Sequence, residues 1–341
     1  MNIALTSYSL PPMDAIGAGV QIHFLANEFV KAGHVVTVYS PHRSAPDDAL
    51  YKHVEVRLSG NLRTVKWAIE LSKIDFSEYQ YLHCTGDDHF IKTNRSTCHF
   101  RQYHGNSFSE YCHARTPSAR IRNLLLYTTE LATGLRADIL SCVSGRSAKY
   151  LPSRTVIIPC GVDLSRFTPG SKKSKQPSIL FAGILESRKR GDLLVDSFVS
   201  TIKPNLPTSL LNIVRDTNTV AHNGVIVHGF VDLDRLIELF RSSWLFCLPS
   251  SYEGFGVPYI EAMACGTAVV ATPNDGSLEV LDGGRFGVLS SPATLGEDIV
   301  SLLSDAKRLR LLEDAGLTRS KDYAWSNVVS KYVNLVNLYH G

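Results

Sequence analysis

The first forty residues alternate between apolar runs and an amphipathic segment. Residues 2–7 are strand-like around the apolar Ile3, Ala4 and Leu5, and a second strand-like segment covers residues 34–39. Between them, apolar side chains recur at the spacing of one helical face over residues 20–31: they are Ile22, Leu25, Ala26, Phe29 and Val30. A loop that holds Pro11 and Pro12 and runs through Gly19 precedes this helix, and Gly33 ends it. The order strand, helix, strand predicts a βαβ unit.

The same alternation recurs along the rest of the chain. Strands are predicted over residues 137–143, 155–159, 179–182, 210–214, 225–228, 244–248 and 268–271. Helices are predicted over residues 192–201, 234–240, 258–265, 295–312 and 323–339. Residues 168–178 are polar and carry no apolar periodicity, which is typical of a linker. Strands that alternate with helices in this way indicate a doubly wound parallel sheet on each side of the linker.

The composition supports two hydrophobic cores. At 341 residues and 44% hydrophobic content, the chain is long enough for two domains. The formal net charge of +3 gives no indication of a nucleic-acid partner. No apolar run approaches the roughly eighteen residues of a membrane span, and we recognise no signal peptide. The seven cysteines form no C-x-x-C pair, which predicts reduced thiols and a cytoplasmic location.

The segment after the predicted strand 244–248 combines glycines, acids and a helix start. Gly254 and Gly256 let backbone amides approach a ligand, and Pro258 begins a helix. Free amides and the positive end of a helix suit a diphosphate. We expect Glu261 in the first turn of that helix and Glu253 in the loop before it, so that both acids face one pocket. Taken singly, each is also explained as a helix-terminus acid or a solvated loop acid.

Residues 253–267 resemble the retaining glycosyltransferases of family 4, which have the GT-B fold. The family signature is two glutamates separated by seven residues around Gly-Phe-Gly, followed by a Glu-Ala-Met-Ala-Cys-Gly-Thr helix. Segments 137–144, 158–167 and 275–280 extend the resemblance, with Cys160 where the family has Asn. The resemblance implies that Glu253 contacts the donor sugar and that Glu261 binds the ribose hydroxyls. It also implies donor contacts from Gly254, Phe255, Gly256 and Val257.

Residues 181–191 are similar to the family's Gly-Arg to Lys-Gly segment, whose two cations neutralise the donor diphosphate. Ile184 stands where the family has Arg, and Lys189 or Arg190 stands where it has Lys. Fixed cations meet the charge that builds on a leaving phosphate when no metal does so. Two alternatives follow: Arg188 supplies the missing charge, or the phosphate is stabilised less well. Three adjacent cations also fit a solvated turn before a helix.

The resemblance assigns a few further residues to the site. Gly17 and Gly19 would border the leaving diphosphate and the acceptor, although a plain tight turn explains them nearly as well. They do not complete a dinucleotide fingerprint, because the third glycine and the acid after the second strand are missing. His104 corresponds to the family's strand-end histidine, whereas a lone histidine is more often structural. Phe230 and Val231 would border the nucleotide base.

Two groups of residues raise the question of a metal, and neither predicts one. Asp232 and Asp234 have D-x-D spacing, but they precede a helix, so an N-cap is the simpler interpretation. The other group fits no zinc spacing and is interpreted as scattered: it comprises His83, Cys84, His89, Cys98, His99, His104, Cys112 and His113. We therefore expect neither a metal nor a cofactor.

Basic residues outnumber acids between residues 92 and 154. The cations are Lys92, Arg95, Arg101, Arg115, Arg120, Arg122, Arg136, Arg146, Lys149 and Arg154, and the acids are Glu110, Glu130 and Asp138. This excess fits an anionic acceptor, an anionic membrane contacted through residues 115–126, or a solvated basic surface. The sequence leaves all three interpretations open.

Together these patterns predict two Rossmann-like domains of the GT-B fold that face a cleft. The first domain is residues 1–167, the second is residues 168–322, and residues 323–341 pack back on the first. The predicted reaction is metal-independent, retaining transfer of a sugar from a UDP- or GDP-sugar to a hydroxyl of a saccharide, a lipid-linked acceptor or a small molecule. The alternatives are an epimerase-like enzyme and a non-catalytic nucleotide-sugar-binding protein of the same fold.

Overall fold

The computed structural model describes residues 1–11, 17–58, 63–114, 116–215 and 222–340. The chain divides into two compact units, of which one is Met1–Gly161 with Trp325–Gly341 and the other is Val162–Ala324. These divisions lie a few residues from those expected after residues 167 and 322. Residues 162–167 belong to the second unit because Val162 N–H donates to Tyr323 O at 2.8 Å. In addition, the Phe167 ring lies 6.4 Å from that of Phe240.

A parallel sheet forms the centre of the first unit. Its strands are β1 (Asn2–Thr6), β2 (Val35–Ser40), β3 (Lys52–Glu55), β4 (Tyr81–Cys84), β5 (Cys98–Tyr103), β6 (Ile139–Cys142) and β7 (Val156–Ile157). They follow the spatial order β3-β2-β1-β4-β5-β6-β7. The helices between them are α1 (Gly17–Lys31), α2 (Arg63–Leu71), α3 (Ser107–His113) and α4 (Pro117–Gly134). Strands β4 and β5 are buried at every residue.

The second unit repeats this architecture. Its strands are β8 (Ser178–Ala182), β9 (Leu210–Val214), β10 (Val225–Gly229), β11 (Leu245–Leu248), β12 (Ala268–Ala271) and β13 (Val288–Leu289). Its helices are α5 (Gly191–Ser197), α6 (Lys203–Asn205), α7 (Leu233–Ser242), α8 (Val257–Ala264), α9 (Asp275–Val280), α10 (Leu295–Ser304) and α11 (Ala306–Ser320). All these strands are parallel, in the spatial order β10-β9-β8-β11-β12-β13. Along this order the strand numbers fall as far as β8 and rise from β11 onward. Loops that follow these two strands therefore meet at a topological switch point, where such sheets bind ligands.

The last helix, α12 (Trp325–His340), belongs to the first unit. Its Tyr332 is buried, and the Tyr332 ring lies 5.4 Å from that of Phe100 and 6.2 Å from that of Phe29. Trp325, the first residue of α12, packs against Gly161. A Cβ atom on Gly161 would stand 2.3 Å from the indole ring. The apolar face of the helix thus completes the core of the first unit.

Two predicted helix boundaries are wrong. Helix α1 begins at Gly17, so Gly17 and Gly19 lie in its first turn and not in a preceding loop. Gly19 is required there because a Cβ would stand 2.3 Å from the carbonyl oxygen of Ser9. The predicted helix 295–312 is instead two helices, because Asp305 leaves helical geometry and its side chain accepts from Arg308 N–H at 2.9 Å. The predicted loop before α1 includes residues 12–16, which lie outside the described residues.

Two sequence expectations about the whole chain have structural counterparts. All seven cysteines are free thiols, as predicted, and six of them are buried. Among the helices of the described residues, none combines the length and the apolarity that crossing a membrane requires.

Candidate functional site

The turn between β11 and α8 is shaped by one glycine. Gly256 has a left-handed backbone (φ 89°) and caps α8, and a Cβ on it would stand 2.3 Å from the Tyr259 ring. Only glycine fits both conditions. Pro258 follows in the first turn of α8, where its missing N–H leaves no helical bond unmade. The sequence signal for a glycine turn into a helix therefore corresponds to a sharply constrained loop.

Glu253 lies in this turn with its carboxylate fixed on two sides. The residue is only 7% exposed. Its Oε1 atom accepts from Ser250 Oγ at 2.9 Å and lies 2.7 Å from Arg188 Nη1. Its carbonyl oxygen accepts from Gly276 N–H at 2.8 Å, which ties the turn to α9. Bonds of this kind hold a carboxylate in one orientation before any ligand arrives.

Arg190 joins the scaffold beneath this turn. Its Nε atom donates to Pro249 O and its Nη2 atom donates to Thr272 Oγ1, both at 2.7 Å. Thr272 Oγ1 in turn donates to Ser250 O at 2.8 Å, and Asn274 Nδ2 donates to the same oxygen at 3.1 Å. These contacts hold the loops after β11 and β12 together. The guanidinium of Arg190 therefore stabilises the loops that form the site.

Lys189 lies between these two arginines and is partly buried. Its Nζ atom donates to Ala182 O, at the carboxyl end of β8, at 2.9 Å. Gly183 makes room for it, because a Cβ there would stand 2.4 Å from Lys189 Cδ. Burial lowers the pKa of Lys189, and the nearby Glu253 opposes that shift. A buried ammonium of this kind favours an anionic partner.

Arg188 and Ile184 occupy the outer part of the same loop. Arg188 pairs with Glu253 and also donates from Nη1 to the carbonyl oxygen of Tyr252. Its own carbonyl oxygen accepts from Ser251 N–H at 2.8 Å. The side chain of Ile184 is 59% exposed, and it places no charge at this position. Main-chain and guanidinium contacts therefore hold the loop after β8 against the loop after β11.

Glu261 lies in α8, but in its second turn and not in the first turn as predicted, because the helix already begins at Val257. Burial raises the pKa of Glu261 to about 7, and the positive charges of Arg215 and Lys189 oppose this rise. Arg215 follows β9, and the sequence provided no reason to select it. It has a left-handed backbone with φ 72°. The residue types around an arginine do not predict this conformation.

Phe230 and Val231 follow β10, at the same edge of the sheet. Phe230 is 80% exposed, which is unusual for an aromatic side chain, and Val231 is partly buried. The D-x-D segment that comes next is an N-cap, as predicted: the Asp232 side chain accepts from Arg235 N–H at 2.8 Å. Asp234 pairs with Arg166 at 3.0 Å.

Gly17, Gly19 and His104 belong to the first unit. His104 directly follows β5, and its Nε2 atom is buried without a hydrogen-bond partner among the described residues. It borders a cavity of about 10 Å³, close to the space for one water molecule, together with His83 and Gln102. Burial and the charge of Arg101 lower the pKa of His104 to about 4. This histidine is therefore neutral near pH 7.

The first unit also gathers a Cys, an Asp and a His that the sequence placed apart. Ligand atoms of Cys84, Asp88 and His99 lie within 4.8 Å of one another, and all three residues are buried. The interpretation of scattered residues is thus wrong for Cys84 and His99. Asp88 accepts from His99 Nε2 at 2.8 Å and from Arg101 Nη1. A metal ion would have to compete with Arg101 for this carboxylate, so the donor set is better described as an ion-pair network.

The structure thus places the second-unit candidates beyond the carboxyl ends of β8, β10 and β11, and it brings Lys189, Glu253 and Glu261 close enough to act on one another's charge. Carboxylates alternate there with cations, beside backbone amides at the start of α8. Such a surface suits a ligand that carries both negative charge and hydroxyl groups.

Known proteins resemble this chain, and a matching family model covers much of the second unit. Residues 176–305 match the family model described as "Glycosyl transferases group 1". Mannosylfructose-phosphate synthase from Agrobacterium fabrum is 25% identical to the chain, and the match covers 96% of the chain and 88% of that protein.

Solved structures resemble the chain over nearly its whole length. Sucrose-phosphate synthase from Thermosynechococcus elongatus has a TM-score of 0.81 at 20% identity, covering 99% of this chain and 98% of that one. The Anabaena protein HepE in complex with UDP-glucose has a TM-score of 0.76 at 14% identity, covering 99% of both chains. Together with the two parallel-sheet units, these likenesses show that the chain has the predicted GT-B fold.

Proposed function

We propose that this chain, which is a glycosyltransferase of the GT-B fold, transfers a sugar from a nucleoside diphosphate sugar to an acceptor hydroxyl with retention of configuration. The observation that carries the proposal is the grouping of Lys189, Glu253 and Glu261 at the carboxyl ends of β8 and β11. The negative charge of a leaving diphosphate would be met there by fixed protein cations, so we propose a metal-independent reaction.

Each second-unit candidate has a proposed part in this reaction. Lys189 and the amides of residues 254–257 would face the diphosphate, and Glu253 would orient the hydroxyls of the donor sugar. Glu261 would accept from the ribose hydroxyls. Phe230, as an exposed aromatic ring, would stack on the nucleotide base beside Val231. We assign Arg188 and Arg190 to the positioning of Glu253 and its loop, because their guanidinium groups contact that loop.

The candidates of the first unit are proposed to serve the acceptor side. His104 follows a strand end, and Gly17 and Gly19 begin α1. Attack by the acceptor hydroxyl on the face that the diphosphate leaves would retain the configuration, with positioning and charge stabilisation as the main contributions of the protein. No residue is assigned as a covalent nucleophile in this proposal.

The donor base is proposed to be uracil, with guanine as the alternative. A protein of the same fold was solved with UDP-glucose bound. The named relatives are synthases of phosphorylated sugars, and the excess of basic residues between 92 and 154 fits an anionic acceptor of that kind. Seven free thiols support a cytoplasmic location.

Thermal denaturation with UDP-, GDP-, ADP- and dTDP-glucose tests the donor, because a ligand that binds only the folded state raises the Tm. Turnover is then measured with the stabilising donor, a panel of sugar and sugar phosphate acceptors, and EDTA. Release of nucleoside diphosphate only when an acceptor is present supports transfer and argues against an epimerase. Donor binding without turnover on any acceptor would indicate a binding protein instead. The anomeric proton coupling of the product reports retention.

Helix α4 supports peripheral contact with an anionic membrane. Apolar side chains that are 41% to 64% exposed occupy much of its first half: they are Ile121, Leu124, Leu125 and Leu126. Arg120 and Arg122 beside them are exposed, whereas Arg115 lies outside the described residues. Apolar groups next to cations suit an anionic bilayer surface. Sedimentation with vesicles of phosphatidylglycerol should retain the protein, and Leu125→Glu or vesicles of phosphatidylcholine should release it. Equal retention on both lipids would contradict this contact.

A further inference from the structure

Arg215 has an unusual backbone for an arginine. It lies one residue beyond β9 with φ 72°, in the left-handed region. Its N–H donates to Gly229 O at 2.7 Å, which ties it to the end of the neighbouring strand β10. Strained conformations of this kind in residues other than glycine persist where the surrounding structure fixes them, and they concentrate at ligand sites.

The sheet places Arg215 beside the loop that carries Lys189. Strands β8 and β9 are parallel, with Ala182 opposite Val214, and Gly183 N–H donates to Val214 O at 2.9 Å. Arg215 therefore lies level with Gly183, one residue from Ile184. It is partly buried at this edge of the sheet.

The charge of Arg215 acts on two candidate donor-binding groups. Burial raises the pKa of Glu261, and Arg215 is the stronger of the two cations that oppose the rise. Burial lowers the pKa of Lys189, and Arg215 contributes to that lowering. Arg215 therefore lies close enough to both groups to act on their charge, at the edge of the sheet where the donor phosphates are proposed to bind.

The neighbouring arginines are engaged by the loop itself. Arg188 contacts Glu253 and Tyr252, whereas Arg190 contacts Pro249 and Thr272. Both guanidinium groups therefore hold parts of the protein together. Ile184, at the position where the resemblance expects a cation, has an exposed aliphatic side chain.

We propose that Arg215 binds the diphosphate of the nucleotide donor and supplies, from the neighbouring strand, the cation that is missing at Ile184. This inference rests on the proposed function, since it takes the ligand to be a nucleoside diphosphate. Lys189 and Arg215 would then form the cation pair, one from the loop after β8 and one from the end of β9.

The test is calorimetric titration of UDP, GDP and uridine into the full chain and its variants. Arg215→Gly removes the guanidinium and adopts φ 72° without strain, so the fold is preserved. Asp282→Gly is the matched control, because Asp282 is another left-handed residue (φ 47°) and lies outside the site. The double variant Ile184→Arg, Arg215→Gly places a cation at the position that the resemblance expects.

We expect Arg215→Gly to weaken UDP about 10- to 100-fold, as loss of a charge-assisted bond to phosphate does, while uridine affinity changes less than about twofold. Asp282→Gly should bind like the wild type, and Ile184→Arg should restore part of the lost UDP affinity. Unchanged UDP affinity in Arg215→Gly, or an equal loss for uridine, would overturn the inference and leave the proposed function standing. Failure of the wild type to bind either UDP or GDP would instead overturn both.

Discussion

The two sheets of this protein place charge differently. Strand β5 of the first unit is buried throughout, yet it carries His99, Arg101 and Gln102. Strand β11 of the second unit is equally buried and entirely apolar. The charged site candidates of the second unit lie instead beyond the strand ends: Lys189 and Glu253 lie in the turns after β8 and β11, Arg215 follows β9, and Glu261 lies in α8.

Under the proposed function, this difference separates charge that maintains the fold from charge that would serve a ligand. In the first unit, burial opposes ionisation of Asp88, but Arg101 and His99 outweigh it and lower the pKa of Asp88 to about 2. These charges neutralise one another inside the protein. In the second unit, Arg215 acts on the pKa of both Lys189 and Glu261, beyond the strand ends where the proposed ligand would bind. Mutations in the first group should therefore affect stability, and mutations in the second should affect binding and turnover.

The largest expected effect is that of Asp88→Asn. It leaves the buried Arg101 without its carboxylate, so the free energy of unfolding should fall by about 3–5 kcal/mol. Urea denaturation followed by tryptophan fluorescence measures it in a Trp244→Phe background, where Trp67 and Trp325 report on the first unit alone. Glu261→Gln makes the same chemical change in the second unit and should alter stability far less. A loss below about 1 kcal/mol for Asp88→Asn would remove the distinction between the two sheets.

The next effect concerns turnover. Glu253→Gln should lower kcat about 100-fold, which corresponds to about 2.7 kcal/mol, because it removes a pre-oriented charge from the site. The Tm should change little, since an amide oxygen can still accept from Ser250 Oγ. Steady-state kinetics with the donor and acceptor identified by screening measures the change, with the exposed Glu238→Gln as control. If kcat stays at the wild-type value, Glu253 has only a structural part.

The sequence allowed more of the second unit to be predicted than of the first. Strand β11 is a short apolar run that ends at a glycine turn, and both features are visible in residue types. The grouping of Glu253 and Lys189 could not be derived from spacing alone, because the two residues come near each other only through contacts between loops that are 64 positions apart. It was reached through the family resemblance.

Other features carried no readable signal. Strands β4 and β5 were missed because His83, His99 and Arg101 interrupt the apolar pattern. The burial of His99 and Arg101 depends on a partner, Asp88, from a loop. Arg215 was missed because its part depends on the register of β8 and β9 and on a backbone angle. Long-range pairing of this kind is fixed by the fold and not by local residue preference.

A smaller effect should appear when the first unit is acidified. Burial is the main cause that lowers the pKa of His83 to about 3 and that of His104 to about 4, from an ordinary 6.5. Below pH 6.5 these histidines bind protons in the unfolded chain but stay neutral in the folded unit. The free energy of unfolding therefore falls as the pH falls toward their folded-state pKa values. Each histidine alone would cost about 2 kcal/mol between pH 7 and pH 5. Asp87, whose pKa burial raises to about 6, gains stability over the same range, so we expect a net loss of about 2 kcal/mol.

Urea midpoints in the Trp244→Phe background measure this loss. Replacing both histidines with glutamine should reduce the dependence, because glutamine does not titrate. Burial also lowers the pKa of His34, His53 and His89, so a smaller acid dependence should remain. The contribution of Asp88 lies lower, between about pH 4 and its folded pKa of about 2, and so does not interfere. A variant as acid-sensitive as its parent would place the cause elsewhere.

The smallest effect runs in the opposite direction, in the second unit. Burial raises the pKa of Glu261 to about 7 from 4.5, so its contribution to stability is present below pH 4.5 and is lost as the pH rises through 7. Because the side chain is partly exposed, we expect only about 1 kcal/mol. Hydrogen exchange of β11 and β12 amides from pH 5 to 7.5, corrected for the intrinsic rate, should show this loss in the wild type and not in Glu261→Gln. If stability changes with pH in the same direction in both units, Glu261 does not differ from the buried charges of the first unit. The contrast between the two sheets would then be wrong.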